Sequence, residues 1–410
     1  MPRKLFVGCV SLALTFGSLP LCAQQPAKTH PKLQLHNAQP IRHGAEKAAV
    51  ASALEQNRAT NTLPVWNYQV ISTRDNNIYT GTIVGANPTA RGNDAVSVPG
   101  QLIPIILHFH TVGTGITSQG TITTRKGSIT SNPTVADNAC LAAPNNVPVD
   151  LVRQSPVFQN ANFNFGGTPV GNTQYTDAYQ RASLWNLIDR SSYHVRVAPL
   201  KVFPAVVVDV PAASGLSLSK NVLGTCGPLG IIDINLVDAV AVQATLQTPG
   251  ISPKTFPMFL FYNAAFSEGD PTNLANCCAG GYHGINPTGP VTFQTYSPFD
   301  FDTTGAFGPS ALDASIMSHE VAEWMNDPYV VNPTPPWGHI GQVGFCQNNL
   351  EVADPLTGTT ISPIVGKNGF TYHLQELAFF SWFYGSPSVG LHGWFSDNGT
   401  FMTDAGPPCQ

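Results

Sequence analysis

Turn-forming residues constrain this chain most: 37 glycines and 35 prolines are spread through 410 positions. Proline fixes φ and removes a backbone donor, and glycine supplies φ values that other residues avoid. Punctuation this frequent favours many turns and short strands over long helices. Apolar residues make up 42% of the chain, enough for a sizeable core and too many for disorder. The net charge is −5 and no basic block or stripe occurs, so the electrostatic footprint of a nucleic-acid binder is missing.

The N-terminus reads as an export signal over residues 1–23. Pro2-Arg3-Lys4 is a short basic region, Leu5 to Leu21 is apolar, and Leu21-Cys22-Ala23 offers a cleavage site before Gln24. The expectation is a secreted or periplasmic protein with no membrane anchor in its mature form. Residues 24–62 read as a leader or pro-segment, in which Ala45 to Arg58 has helical composition. The six cysteines beyond the signal are Cys140, Cys226, Cys277, Cys278, Cys346 and Cys409. In an exported chain an even number implies disulfides. Adjacent Cys277 and Cys278 are expected to tie one loop to two different places, because bonding neighbours strains the geometry.

Alternating strand patterns at Val65–Ile71, Asn77–Val84 and Leu102–His110 predict a β-rich domain over residues 63–210. The second half changes character. Gly230 to Leu246 reads as a helix following a short strand, Phe256 to Tyr262 as a buried strand, and Val291 to Tyr296 as another strand. Asp300 and Asp302 read as a solvated loop, with calcium binding as the alternative. Residues 211–395 form the predicted second domain, and residues 396–410 a C-terminal tail. The fold class expected is α+β.

Ser318-His319-Glu320-Val321-Ala322-Glu323-Trp324 carries the chemistry. A helix points His319 and Glu323, four residues apart, from one face. Ser310 to Asp313 matches a capping box that would start this helix, and Pro328 stops it. A hydrolytic metal site needs three protein ligands, an open position for water and a base. His319 and Glu323 supply two ligands, and Glu320 suits the base. Leu350-Glu351-Val352-Ala353-Asp354 supplies the third, with Glu351 as ligand and Asp354 orienting His319, or with Asp354 as the ligand itself. His283, His339 and His373 are rivals. Tyr372 is a candidate donor to a developing oxyanion. One histidine with two carboxylates suits zinc, and the carboxylates also admit calcium. No G-x-S-x-G elbow and no phosphate-binding glycine pattern occurs.

The motif H-E-x-x-E at His319–Glu323 with a distant downstream Glu resembles the glutamate-ligand branch of the zincin metallopeptidases. The longer string SHEVAEWMNDP followed by EVADPLTG is also similar to secreted bacterial and plant proteins that include the phosphate-induced, Exordium-like group. The likeness covers roughly residues 255–390. It implies a mixed sheet over an active-site helix, His319 and Glu323 as zinc ligands, Glu320 as general base, and a peptide or protein substrate. It also implies that an edge strand, matched by Val291 to Tyr296, pairs with extended substrate. The alternative is a non-enzymatic extracellular binding protein with a structural ion.

Overall fold

The computed structural model of the protein describes residues 33–36, 38–42, 50, 62–90, 95–289, 292–385, 387–403, 406 and 409. The export signal and most of the predicted leader helix lie outside the described residues. The fold is α+β, with a large mixed sheet and few helices.

Apolar runs make that sheet. Its spine is the 22-residue strand Ala95–Ile116, which pairs in parallel with Phe256–Tyr262, His194–Val202, Val206–Val210 and Gly215–Leu218, and antiparallel with Ile122–Ser131. From Phe256–Tyr262 the sheet continues through Thr292–Phe301 and Gly284–Gly289 to an edge formed by Ile41–Arg42. In the other direction it runs through Leu229–Asp233 and Ala264–Ser267 to Cys277–Ala279. Residues on either side of position 210 thus share one sheet, where two separate domains were expected.

The strand Phe256–Tyr262 is buried along its whole length because helices cover both faces. Phe256, Met258, Leu260 and Tyr262 join the core that holds Met317, Val321 and Trp324. Phe259 and Phe261, pointing the other way at the strand period of two, join the core that holds Val237 and Ala241. The second core belongs to helix Ile234–Gln247, which follows directly on strand Leu229–Asp233. Its first turn is capped by the Asp233 carboxylate, which accepts from Asn235 N.

Helix Ser315–Asn326 lies on the opposite face, with every residue buried. Trp324 fixes it to the sheet. Its indole stacks on Phe256 at 3.7 Å between ring centroids and donates to Thr295 Oγ1 at 3.0 Å. The helix ends as predicted at Asp327, whose carboxylate accepts from Val331 N and Asn332 N. Its start is a correction. Ser310 lies in a short 3-10 turn, Pro309–Ala311, and the helix begins at Ser315 without a side-chain cap. Asp313 is taken by tertiary partners: its N–H donates to Asp302 O, and its carboxylate accepts from His373 N and faces His373 Nδ1 at 2.7 Å.

Three further expectations change. Cys277 and Cys278 are bonded to each other, alongside Cys140–Cys226 and Cys346–Cys409, so they do not bridge to two distant places. The strand expected at the substrate edge is Thr292–Phe301, and it is interior, flanked on both sides. Asp300 and Asp302 are fully buried, not solvated. Asp300 Oδ1 accepts from Ala264 N, and Asp302 Oδ1 accepts from Thr304, while Oδ2 of each has no hydrogen-bond partner.

Burial pushes both of these carboxyls up, with repulsion from Asp302 adding to the rise at Asp300. A carboxyl raised in the folded state stabilises fully below its unfolded value of 3.8 and loses that contribution as pH rises through the folded value. Asp300→Asn is therefore expected to stabilise the protein at pH 7–8, by roughly 1–3 kcal/mol, and to change little near pH 3. Thermal unfolding across that range reads the difference. A variant destabilised at pH 8 would show that the pair is not a charge-repelled one.

Among the described residues, no helix is long and apolar enough to cross a membrane.

Candidate metal centre

The helical period does what the i, i+4 spacing requires: His319 Nε2 lies 3.2 Å from Glu323 Oε2. The loop after strand Val343–Asn349 then brings Glu351 and Asp354 to the same place, and the turn before strand Gly284–Gly289 brings His283. Asp354 Oδ1 is 3.6 Å from His319 Nε2, and His283 Nδ1 is 3.9 Å from Glu323 Oε2. His319, Glu320 and Glu323 can hold a metal ion, as can His283, Glu323 and Glu351, and Glu323 is the corner shared by the two groups.

Hydrogen bonds outside these groups set which ring nitrogen faces inward. Gln375 Nε2 donates to Ala353 O, which turns its Oε1 toward His319 Nδ1 at 3.0 Å. His319 therefore donates from Nδ1, and Nε2 is the nitrogen turned toward Glu323 and Asp354. Gln375 is further fixed by its backbone N–H, which donates to Ser318 Oγ on the helix. Nothing in the sequence near Gln375 marks this role, because the partner is 56 positions away. Gln375, not Asp354, thus faces the Nδ1 of His319, and Asp354 faces its Nε2. Gln347 Nε2 donates to Asp354 Oδ2 at 3.0 Å and steadies it there.

Glu351 backs Glu323. Glu323 and Glu351 lie together in the group with His283, Ala353 N donates to Glu323 Oε1 at 3.2 Å, and Asn349 Nδ2 donates to Glu351 Oε1 at 2.7 Å. His283 Nε2 donates to Asp327 O at the helix end, which aims Nδ1 at Glu323. Burial, with His319 alongside, pushes His283 down to about 3, so its imidazole is neutral near pH 7.

Four carboxyl groups, Glu320, Glu323, Glu351 and Asp354, are thereby packed into one buried space. Burial pushes Glu320, Glu323 and Glu351 well up, and repulsion from neighbouring carboxylates raises each further. Such an assembly is costly unless protons or a cation offset its charge. Oε2 of Glu320 and Oε2 of Glu351 are buried with no hydrogen-bond partner, which a bound cation or its water would satisfy.

His319 and Glu320 face a cleft of about 260 Å³. Gly281 is its inner wall beside Glu320, where an added Cβ would lie 2.7 Å from Glu320 Cγ. Tyr372, expected to face the reacting oxygen, is engaged elsewhere. Its hydroxyl donates to Leu151 O at 2.8 Å and accepts from Asn368 Nδ2. His373 pairs with Asp313, and His339 sits beside the Cys346–Cys409 disulfide. Neither joins the cluster.

Comparison with family models, with curated proteins and with solved structures finds no match.

Proposed function

We propose that this protein is a zinc-dependent hydrolase acting on peptide bonds outside the cytoplasm, with His319, Glu323 and Asp354 holding the metal and Glu320 as general base. One observation carries the reading. Tetrahedral zinc with bonds of about 2.0–2.1 Å sets its ligand atoms roughly 3.3–3.4 Å apart. His319 Nε2 stands 3.2 Å from Glu323 and 3.6 Å from Asp354, before any ion has drawn them together. Imidazole nitrogen in the set favours zinc over calcium, which takes oxygen ligands. Three cystines suit an oxidising compartment.

A bound zinc ion polarises the scissile carbonyl and acidifies water beside it. The chain supplies the rest. Glu320, one position past His319 and among the residues that line the cleft, takes the proton from the attacking water on its carboxylate. It returns that proton to the nitrogen of the leaving amine as the C–N bond breaks, so the residue ends as it began. Gln375 keeps His319 in the tautomer that presents Nε2. Ala353 N, donating to Glu323 Oε1 at 3.2 Å, holds the Glu323 carboxylate in place.

Elemental analysis of purified protein tests this directly. About one equivalent of zinc per chain is expected, with hydrolysis of a quenched-fluorescence peptide library abolished by a chelator and restored by zinc. Protein that carries calcium alone, or none, and hydrolyses nothing would support the structural-ion reading instead.

A further inference from the structure

Residues near the start of the main body line the mouth of the cleft. Leu33, Gln34, Leu35, His36 and Ala38 line it together with His319 and Glu320. The segment is held by main-chain bonds. His36 N donates to Cys278 O at 2.7 Å, Cys278 N donates to Gln34 O at 3.3 Å, and Ile41 N donates to His283 O at 3.2 Å. Cys278 bonds the residues on either side of Leu35, the pattern of a parallel pair. Ile41 and Arg42 pair in parallel with Gly284 and Ile285. Leu35 stands opposite Cys278 and Ile41 opposite Gly284, equally spaced along both segments, so the two anchored ends share one register.

The segment it pairs with is part of the metal site. Between Cys278 and Gly284 lie Gly280, packed on Ile316, and Gly281, packed on Glu320, followed by His283. Leu33 and Ala38 are buried, and His36 Nε2 is buried with no hydrogen-bond partner. Gln39 Nε2 donates to Gln347 Oε1 at 3.3 Å, and Gln347 in turn donates to Asp354. The strap therefore touches both the base side and the ligand side of the cleft.

We propose that residues 33–42 occupy, as an added parallel strand, the groove in which an extended peptide binds, so that the chain as made covers its own metal centre and displacing the strap opens it. This rests on the peptide-hydrolase reading for its consequence, though not for the binding itself. Strand addition draws affinity from main-chain bonds, so the groove tolerates many side chains. A tethered occupant acts at an effective concentration on the order of millimolar, and outcompetes free peptides of weaker affinity. Among the described residues of the strap only Leu33 and Ala38 are buried, so its grip is limited and displacement is accessible.

Two full-length variants loosen the strap without replacing any residue of the metal cluster. Ile41→Pro removes the N–H that donates to His283 O, and Ala38→Asp places a charge at a buried position. The probe is a labelled synthetic peptide with the sequence of residues 33–42, followed by fluorescence polarisation. Each variant is expected to bind it about tenfold tighter than the unaltered chain, and to exchange the Cys278 amide about tenfold faster. Excess unlabelled peptide should slow that exchange again. Faster exchange without a gain in peptide binding would overturn the proposal, as would no change in either readout. Binding that rises while no variant hydrolyses peptide leaves the groove standing and removes the hydrolase reading. Zinc-dependent turnover equal in all three proteins, with unaltered binding, does the reverse.

Discussion

Replacing Glu320 by glutamine is expected to lower peptide hydrolysis by about 10²–10⁴-fold while the protein keeps its metal. The substitution conserves shape and removes both the charge and the capacity to carry a proton. Shape matters here because Gly281 packs directly against the Glu320 side chain, so a larger or branched residue would displace the cleft wall. Glu320 is flanked by Glu323, Glu351 and Asp354, all of which raise it, and by His319, which lowers it. Glutamine carries no charge and relieves that repulsion, so thermal stability should hold or rise. The loss should fall on kcat with little change in KM, because the proton moves only during reaction. Elemental analysis and steady-state kinetics on the same preparation check both halves. A variant that retains its full rate would place the base elsewhere.

His319→Ala should have the largest effect on the metal itself. His319 Nε2 faces both Glu323 Oε2, at 3.2 Å, and Asp354 Oδ1, at 3.6 Å. Its removal also leaves Gln375 Oε1 without the partner it is turned toward. Zinc content is expected to fall from about one equivalent to below about 0.1 after dialysis, with hydrolysis lost in step. His373→Ala is the matched control, since His373 pairs with Asp313 away from the cluster and should leave zinc in place. Zinc retained in His319→Ala would mean that the ion is held by His283, Glu323 and Glu351 instead.

What was legible in the chain was whatever depends on local period. Four-residue spacing on a helix determined that His319 and Glu323 share a face, and Pro328 determined where that helix stops. The unbroken apolar run Phe256–Tyr262 determined a strand covered on both sides. The downstream pair Glu351 and Asp354 was visible as a source of carboxylates, because so few charged residues occur in this chain. The start of the helix was misread because a capping pattern describes a possible local bond, and Asp313 found stronger partners in Asp302 and His373.

Tertiary structure alone decided the rest. Which face of His319 meets a carboxylate depends on Gln375, held by Ala353 and Ser318 across long sequence separations. Asp354 faces His319 Nε2 with Gln347 donating to it, and Glu351 lies beside Glu323 with Asn349 donating to it. The strap over the cleft depends on a parallel register between residues 33–42 and the segment from Cys278 to Ile285. Side-chain period is a property of the backbone and is written in any short window of residues. Register and loop closure are settled by free energy summed over distant contacts, and no short window contains both partners.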